Sequence, residues 1–172
     1  MIKHLYMVFD VESVGLHGEG FWVGWVVTDR CRILSSGSYC CDPRYARGND
    51  EGREWIAKNI PLPVGTVNCE EPRQVRDAFW LEWVKQKNLG ATLVTDCGWP
   101  VEARFLNQCV DDGNGSREWT GPYPLHDVAT LIAARGGDPT EKRHRWPEEL
   151  PEHNPMCDAR QSARLWVENL PK

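Results

Sequence analysis

"LYMVFDVES", residues 5–13, decides how the chain is read: apolar residues run unbroken up to two acids, Asp10 and Glu12, that bracket one valine. An unpaired charge in an apolar setting is costly or shifts its pKa until it neutralises, so a cation is expected nearby. In a strand, residues i and i+2 share a face; Asp10 and Glu12 then point the same way as Val8, while Phe9 and Val11 face the other side. Both carboxylates can reach one ion, and oxygen-only ligation favours hard Mg²⁺ or Mn²⁺ over zinc. Taken alone, the pair equally marks the strand's exposed exit, because Asp-x-Glu is a weak motif.

Working outward, "GLHGEG" (15–20) leads into "FWVGWVVTD" (21–29) and "CRILSSGSYCC" (31–41), an antiparallel meander with a glycine-rich first turn. Residues 42–68 are punctuated by Pro, Gly and Asn around one short helical candidate, "DEGREWIAKNI" (50–60). Val75, Phe79, Trp83 and Val84 then recur at helical spacing after Pro72, a favoured first-turn residue. "ATLVTD" (91–96) reads as a buried strand and "PVEARFLNQCV" (100–110) as a helix opened by Pro100. "LHDVATLIAARGG" (125–137) reads as a brief strand end, a helix capped by Asp127 and a Gly136-Gly137 stop. A proline-rich polar loop (138–154) precedes a helix from Pro155 to about Glu168, which packs Ala159, Ala163, Leu165, Trp166 and Leu170. This order predicts an α/β fold, a mixed sheet sandwiched by helices.

The 172 residues suit one domain, 1–172, with 41% hydrophobic and 26% charged residues typical of a soluble globular protein. No apolar run approaches the ~20 residues of a membrane span, so no membrane partner is expected. "MIKHLYMVFDVES" meets acids too soon for a secretory signal. Seven cysteines without a Cys-x-x-Cys pair argue against a disulfide framework or zinc ribbon and for a reducing, cytoplasmic location. The net charge of −5 excludes nucleic-acid binding through bulk positive charge, but not an enzyme whose acids hold divalent metal. Most of the nine tryptophans are expected in the core.

Near the C-terminus, "EHNPMCDARQSARLW" (152–166) makes Asn154 the N-cap and Pro155 the first helical residue. His153 and Asp158 then fall at N′ and N4, which are neighbours in space. His153 is thereby a candidate proton acceptor and Asp158 a candidate ligand; out of context, His153 also reads as a surface histidine beside a capped helix. Asp96 stands where "ATLV" runs out, at the carboxyl edge where open α/β sheets place ligands, and also suits a turn before a helix.

Taken in order, "FDVES" (9–13), "VTDCGWPVEARFL" (94–106) and "HNPMCD" (153–158) resemble the three motifs of the DEDD exonuclease superfamily, in the DEDDh subgroup whose last motif is His, four residues, Asp. The resemblance implies a ribonuclease H-like three-layer fold, a mixed five-stranded sheet (meander plus two parallel strands) flanked by helices, as in polymerase proofreading subunits, ribonuclease T and oligoribonuclease. It implies that Asp10, Glu12, Asp96 and Asp158 hold two divalent ions, Mg²⁺ or Mn²⁺, while His153 takes the proton from the attacking water. The implied activity is 3′-to-5′ exonucleolytic hydrolysis at single-stranded DNA or RNA 3′ ends. The family's second motif sets its Asp within the helix ahead of an apolar pair, and the residue there is Glu102, before Phe105-Leu106. Asp96 is preferred because a short carboxylate at a strand end is held more firmly, and Glu102 stays open.

A catalytically idle nucleic-acid-binding module is the alternative, and His-x4-Asp disfavours a ribonuclease H-like endonuclease or resolvase. Phe21, Trp22 and Trp99 are candidates for base stacking or for the core. The run Lys142-Arg143-His144-Arg145 suits backbone phosphates or a solvated loop. Relatives include monomers and dimers, so a homodimer stays open.

Overall fold

Being apolar on both faces, Leu5–Ser13 (β1) takes the centre of the sheet in the computed structural model, which describes residues 4–60, 62–63 and 65–171. On one side it pairs antiparallel with Gly20–Thr28 (β2), which pairs antiparallel with Ile33–Cys40 (β3). On the other it pairs in parallel with Ala91–Thr95 (β4), followed by the two-residue β5, His126–Asp127. The order β3-β2-β1-β4-β5 is the expected mixed five-stranded sheet.

Helices cover both faces. Met7, Phe9 and Val11 pack with Val75, Phe79 and Trp83 of α2 (Pro72–Asn88) and with Phe105, Leu106 and Cys109 of α3 (Ala103–Asp112). Tyr6, Val8 and Val26 pack with Val128 of α4 (Val128–Ala134) and with Ala159, Ala163 and Trp166 of α5 (Pro155–Asn169). The α1 numbering belongs to the earlier helix Asp50–Asn59, N-capped by Asn49. Strand alternation therefore turns Asp10 and Glu12 toward α5. The last β1–β4 pair is Phe9 with Thr95, so Asp10 is the first residue of β1 to project beyond the end of β4.

Asp127 caps α4 through Thr130 N–H at 2.6 Å, and its other oxygen accepts from Gly98 N–H at 2.6 Å. The helix expected from Pro100 begins differently. Trp99 is extended, Gly98–Glu102 winds as one wide turn, and Ala103 N–H reaches back to the Gly98 carbonyl before α3 proper. Among the tryptophans, Trp22, Trp25, Trp80, Trp83 and Trp166 are buried, whereas Trp99 is 71% exposed. Phe21 and Trp22 are core residues and cannot stack on bases. All seven cysteines are free thiols. Among the described residues no helix is long and apolar enough to cross a membrane.

One glycine sets the distance between α5 and the sheet. Gly24 lies opposite Asp10 on β2, and a Cβ there would stand 2.2 Å from Met156 N and 2.3 Å from the Pro155 carbonyl carbon. Only backbone fits, so the first turn of α5 rests directly on β2. Gly24→Ala should force that turn away at a cost of about 2–3 kcal/mol, a fall of about 4–12 °C in melting temperature for a chain of this size. A thermal melt with an unchanged midpoint would contradict that packing.

Candidate active site

The site forms where β1, β4 and the start of α5 end at one edge. Asp10 lies within the field of four other carboxylates, Glu102, Asp158, Glu12 and Asp96, and burial together with these charges, Glu102 foremost, raises its pKa well above the usual carboxylate range. Glu102 is buried at the end of the wide turn. Burial pushes its pKa up to about 8, although its own N–H and that of Val11 pull the other way. Asp158 is pushed up to about 6 by burial, opposed by the guanidinium of Arg145. Asp96 is the most open of the set and is paired with Arg143.

His153 adopts a left-handed backbone, φ 61°, unusual for a residue with a side chain. The N-cap beside it forms as expected, with Asn154 accepting from Met156 N–H at 3.1 Å. The imidazole Nδ1 stands 3.7 Å from Glu12 Oε1, and attraction to that carboxylate raises the His153 pKa despite partial burial. Ligand atoms from Glu12, His153 and Asp158 all lie within 4.8 Å of one another. Trp55, on α1, meets the imidazole edge to face, with ring centroids 4.8 Å apart. A cleft of about 590 Å³ opens beside it, lined by Leu16, His17, Asn49, Glu51 and Trp55.

The structure thus brings Asp10, Glu12, Asp96, Asp158 and His153 to one edge, with Glu102 among them. Sequence reasoning missed Trp55, which sat unremarked within a helical candidate. It also left the basic run undecided. Lys142 is in solvent, whereas Arg143 and Arg145 turn inward to Asp96 and Asp158. Their i, i+2 spacing in an extended loop is the signal that could have found them.

The donor set suits hard divalent ions. Its oxygens are carboxylates, and three of the acids carry raised pKa values that a cation would reverse.

No protein-family model matches the chain, and no curated protein matches it. Solved structures do, and they give the fold: it is the one found in exonuclease I. The exonuclease I of Methylocaldum szegediense superposes with a TM-score of 0.63 at 14% identity, over 98% of this chain and 41% of that one. The zinc-bound Escherichia coli exonuclease I complex with single-stranded DNA gives 0.63 at 12% identity, over 97% and 40%. The E. coli enzyme with a dT13 oligonucleotide gives 0.62 at 11%, over 96% and 40%. The chain spans about two fifths of the length of these exonuclease chains. At such identities the likeness is one of fold, and the finer resemblance to ribonuclease T or oligoribonuclease rests on the motifs alone.

The raised acids give the protein a pH signature. Folded Glu102 and Asp158 bind protons up to about 8 and about 6, above the ordinary 4.5 and 3.8 of these groups, so the folded state holds protons that the unfolded chain has released. Their effect on stability is therefore unfavourable above the ordinary values and grows as pH rises toward 8. Mn²⁺ or Mg²⁺ should raise the melting temperature more at pH 8 than at pH 6, and Glu102→Gln should stabilise the metal-free protein at pH 8. Melts indifferent to both ions at both pH values would refute this account of the cluster.

Proposed function

We propose that the chain is a metal-dependent 3′-to-5′ exonuclease acting on single-stranded nucleic-acid ends. The observation that carries this reading is the meeting of Asp10, Glu12 and Asp158 with His153 at one edge of an exonuclease I-like fold. Single-stranded DNA in two of the similar structures supports a DNA strand as substrate. The free thiols are in keeping with a cytoplasmic setting.

In this reading Asp10, Glu12 and Asp158 would hold two divalent ions, Mg²⁺ or Mn²⁺. For the fourth carboxylate, burial beside Asp10 supports Glu102 over Asp96, the choice preferred from sequence. The wide turn swings Glu102 inward and burial removes the rotamer freedom that counted against it, while Asp96 is far more exposed. Such a pair of ions, when bound, stabilises both the attacking and the leaving oxygen of an in-line displacement at phosphorus.

The protein's own groups then orient and deprotonate. His153 accepts the proton of the attacking water on its imidazole, and Glu12, 3.7 Å from Nδ1, stabilises the imidazolium that results. Trp55 limits how far the ring can swing. The cleft beside Trp55 is the natural seat of the terminal nucleoside.

The test uses single strands labelled at the 3′ or the 5′ end, incubated with Mg²⁺ or Mn²⁺. Stepwise shortening of the 5′-labelled strand, immediate release of the 3′ label and arrest by a chelator are expected. Asp10→Asn should abolish turnover while the protein still melts cooperatively, and His153→Ala should lose about 10²–10⁴-fold. Because His153 must be neutral to accept a proton and Glu12 raises its pKa, kcat/KM should climb between pH 6 and pH 8. Internal cuts, or binding without product, would overturn the reading. A separate comparison assigns the fourth ligand: Glu102→Gln should raise the metal concentration needed for activity at least tenfold, and Asp96→Asn should not.

A further inference from the structure

Two arginines of the loop before α5 are aimed at the acidic edge. Arg143 Nη1 donates to Asp96 Oδ1, and its Nη2 donates to the Pro139 carbonyl at 3.1 Å. Arg145 Nη1 donates to Asp158 Oδ1 at 2.5 Å and to the Glu149 carbonyl at 2.9 Å, and its Nε lies 3.6 Å from Glu152. Both side chains are largely withdrawn from solvent, at 16% and 18% exposure.

The loop is built to hold them so. Between the two arginines, the His144 carbonyl accepts from Gln161 Nε2 at 3.1 Å and from Arg164 Nη2 at 2.9 Å, both on α5. Glu149, 2% exposed, accepts from Arg164 Nε at 2.7 Å and from Trp146 N–H at 2.9 Å. With His144 clamped to the helix, residues 143 and 145 project together toward the site.

Neutralising acids is not all these groups can do. Arg145 Nη2 makes no hydrogen bond among the described residues, so one arm of a planar fork is left over. A groove of about 350 Å³ runs past it, lined by Asp96, Lys142, Arg143, Arg145 and Glu152. Guanidinium forks match phosphate oxygens bidentately, which point-charge lysines do not.

We propose that Arg143 and Arg145 bind the substrate strand, gripping its phosphate oxygens at the acidic edge, with Asp96 and Asp158 holding the guanidiniums in position beforehand. This rests on the exonuclease reading above. The test is fluorescence anisotropy with a labelled oligothymidylate and Mg²⁺, in an Asp10→Asn background that prevents cleavage, over a series of salt concentrations. Arg143→Ala and Arg145→Ala should each weaken binding about tenfold and lower the slope of log K against log salt by about 0.7, the value for one lost contact to a single strand. Lys85→Ala, which removes an exposed charge on α2, should leave the slope unchanged.

In the otherwise unmodified enzyme the same arginine variants should raise KM. Where Arg145→Ala does not fold, Arg145→Lys keeps the charge without the fork, and should melt normally yet bind weakly. Unchanged strand affinity and slope, together with tighter Mn²⁺ binding by the variants, would show the arginines to be counter-ions only and overturn the proposal. Failure of the unmodified protein to degrade any strand would instead fell the exonuclease reading itself.

Discussion

Five carboxylates crowd the carboxyl end of β1, and the cost of keeping like charges together away from water is the constraint around which the site is arranged. The chain meets part of that cost internally. Arg143 and Arg145 each take one acid, His153 leans on Glu12, and burial raises the pKa of Asp10 and Glu102, which favours their protonated forms. An arrangement of this kind makes little sense as a stability device, since an apolar strand end would be cheaper. It makes sense where cations are to be held.

Much of this was legible in the sequence wherever a short-range rule governs. Period-two alternation put Asp10 and Glu12 on one face, and cap chemistry at Asn154 and Pro155 brought His153 and Asp158 together. A mixed sheet followed from a meander trailed by strand and helix pairs. These features depend on residues a few positions apart.

What escaped depends on contacts made far along the chain. Glu102 stayed open beside Asp96 because its inward position depends on the wide turn that starts at Gly98, which is tied to Asp127, and no local pattern encodes a hydrogen bond across 29 residues. The basic run stayed undecided between phosphate contact and solvated loop, because the bonds from Gln161 and Arg164 that pin its middle carbonyl come from α5. Trp55 reaches His153 because Gly52 lets α1 close on Gly15, where a Cβ would stand 2.5 Å from the backbone nitrogen. Net charge is silent on this as well, since a sum of −5 does not show two arginines directed at one acidic edge.

The seating of α5 on β2 through Gly24 has a temporal meaning as well. Asp10 and Glu12 lie on β1, whereas His153 and Asp158 follow some 140 positions later, at the start of α5. A chain still being made therefore carries half a site until α5 has been added. Whatever the cluster can do is withheld until α5 has docked on β2.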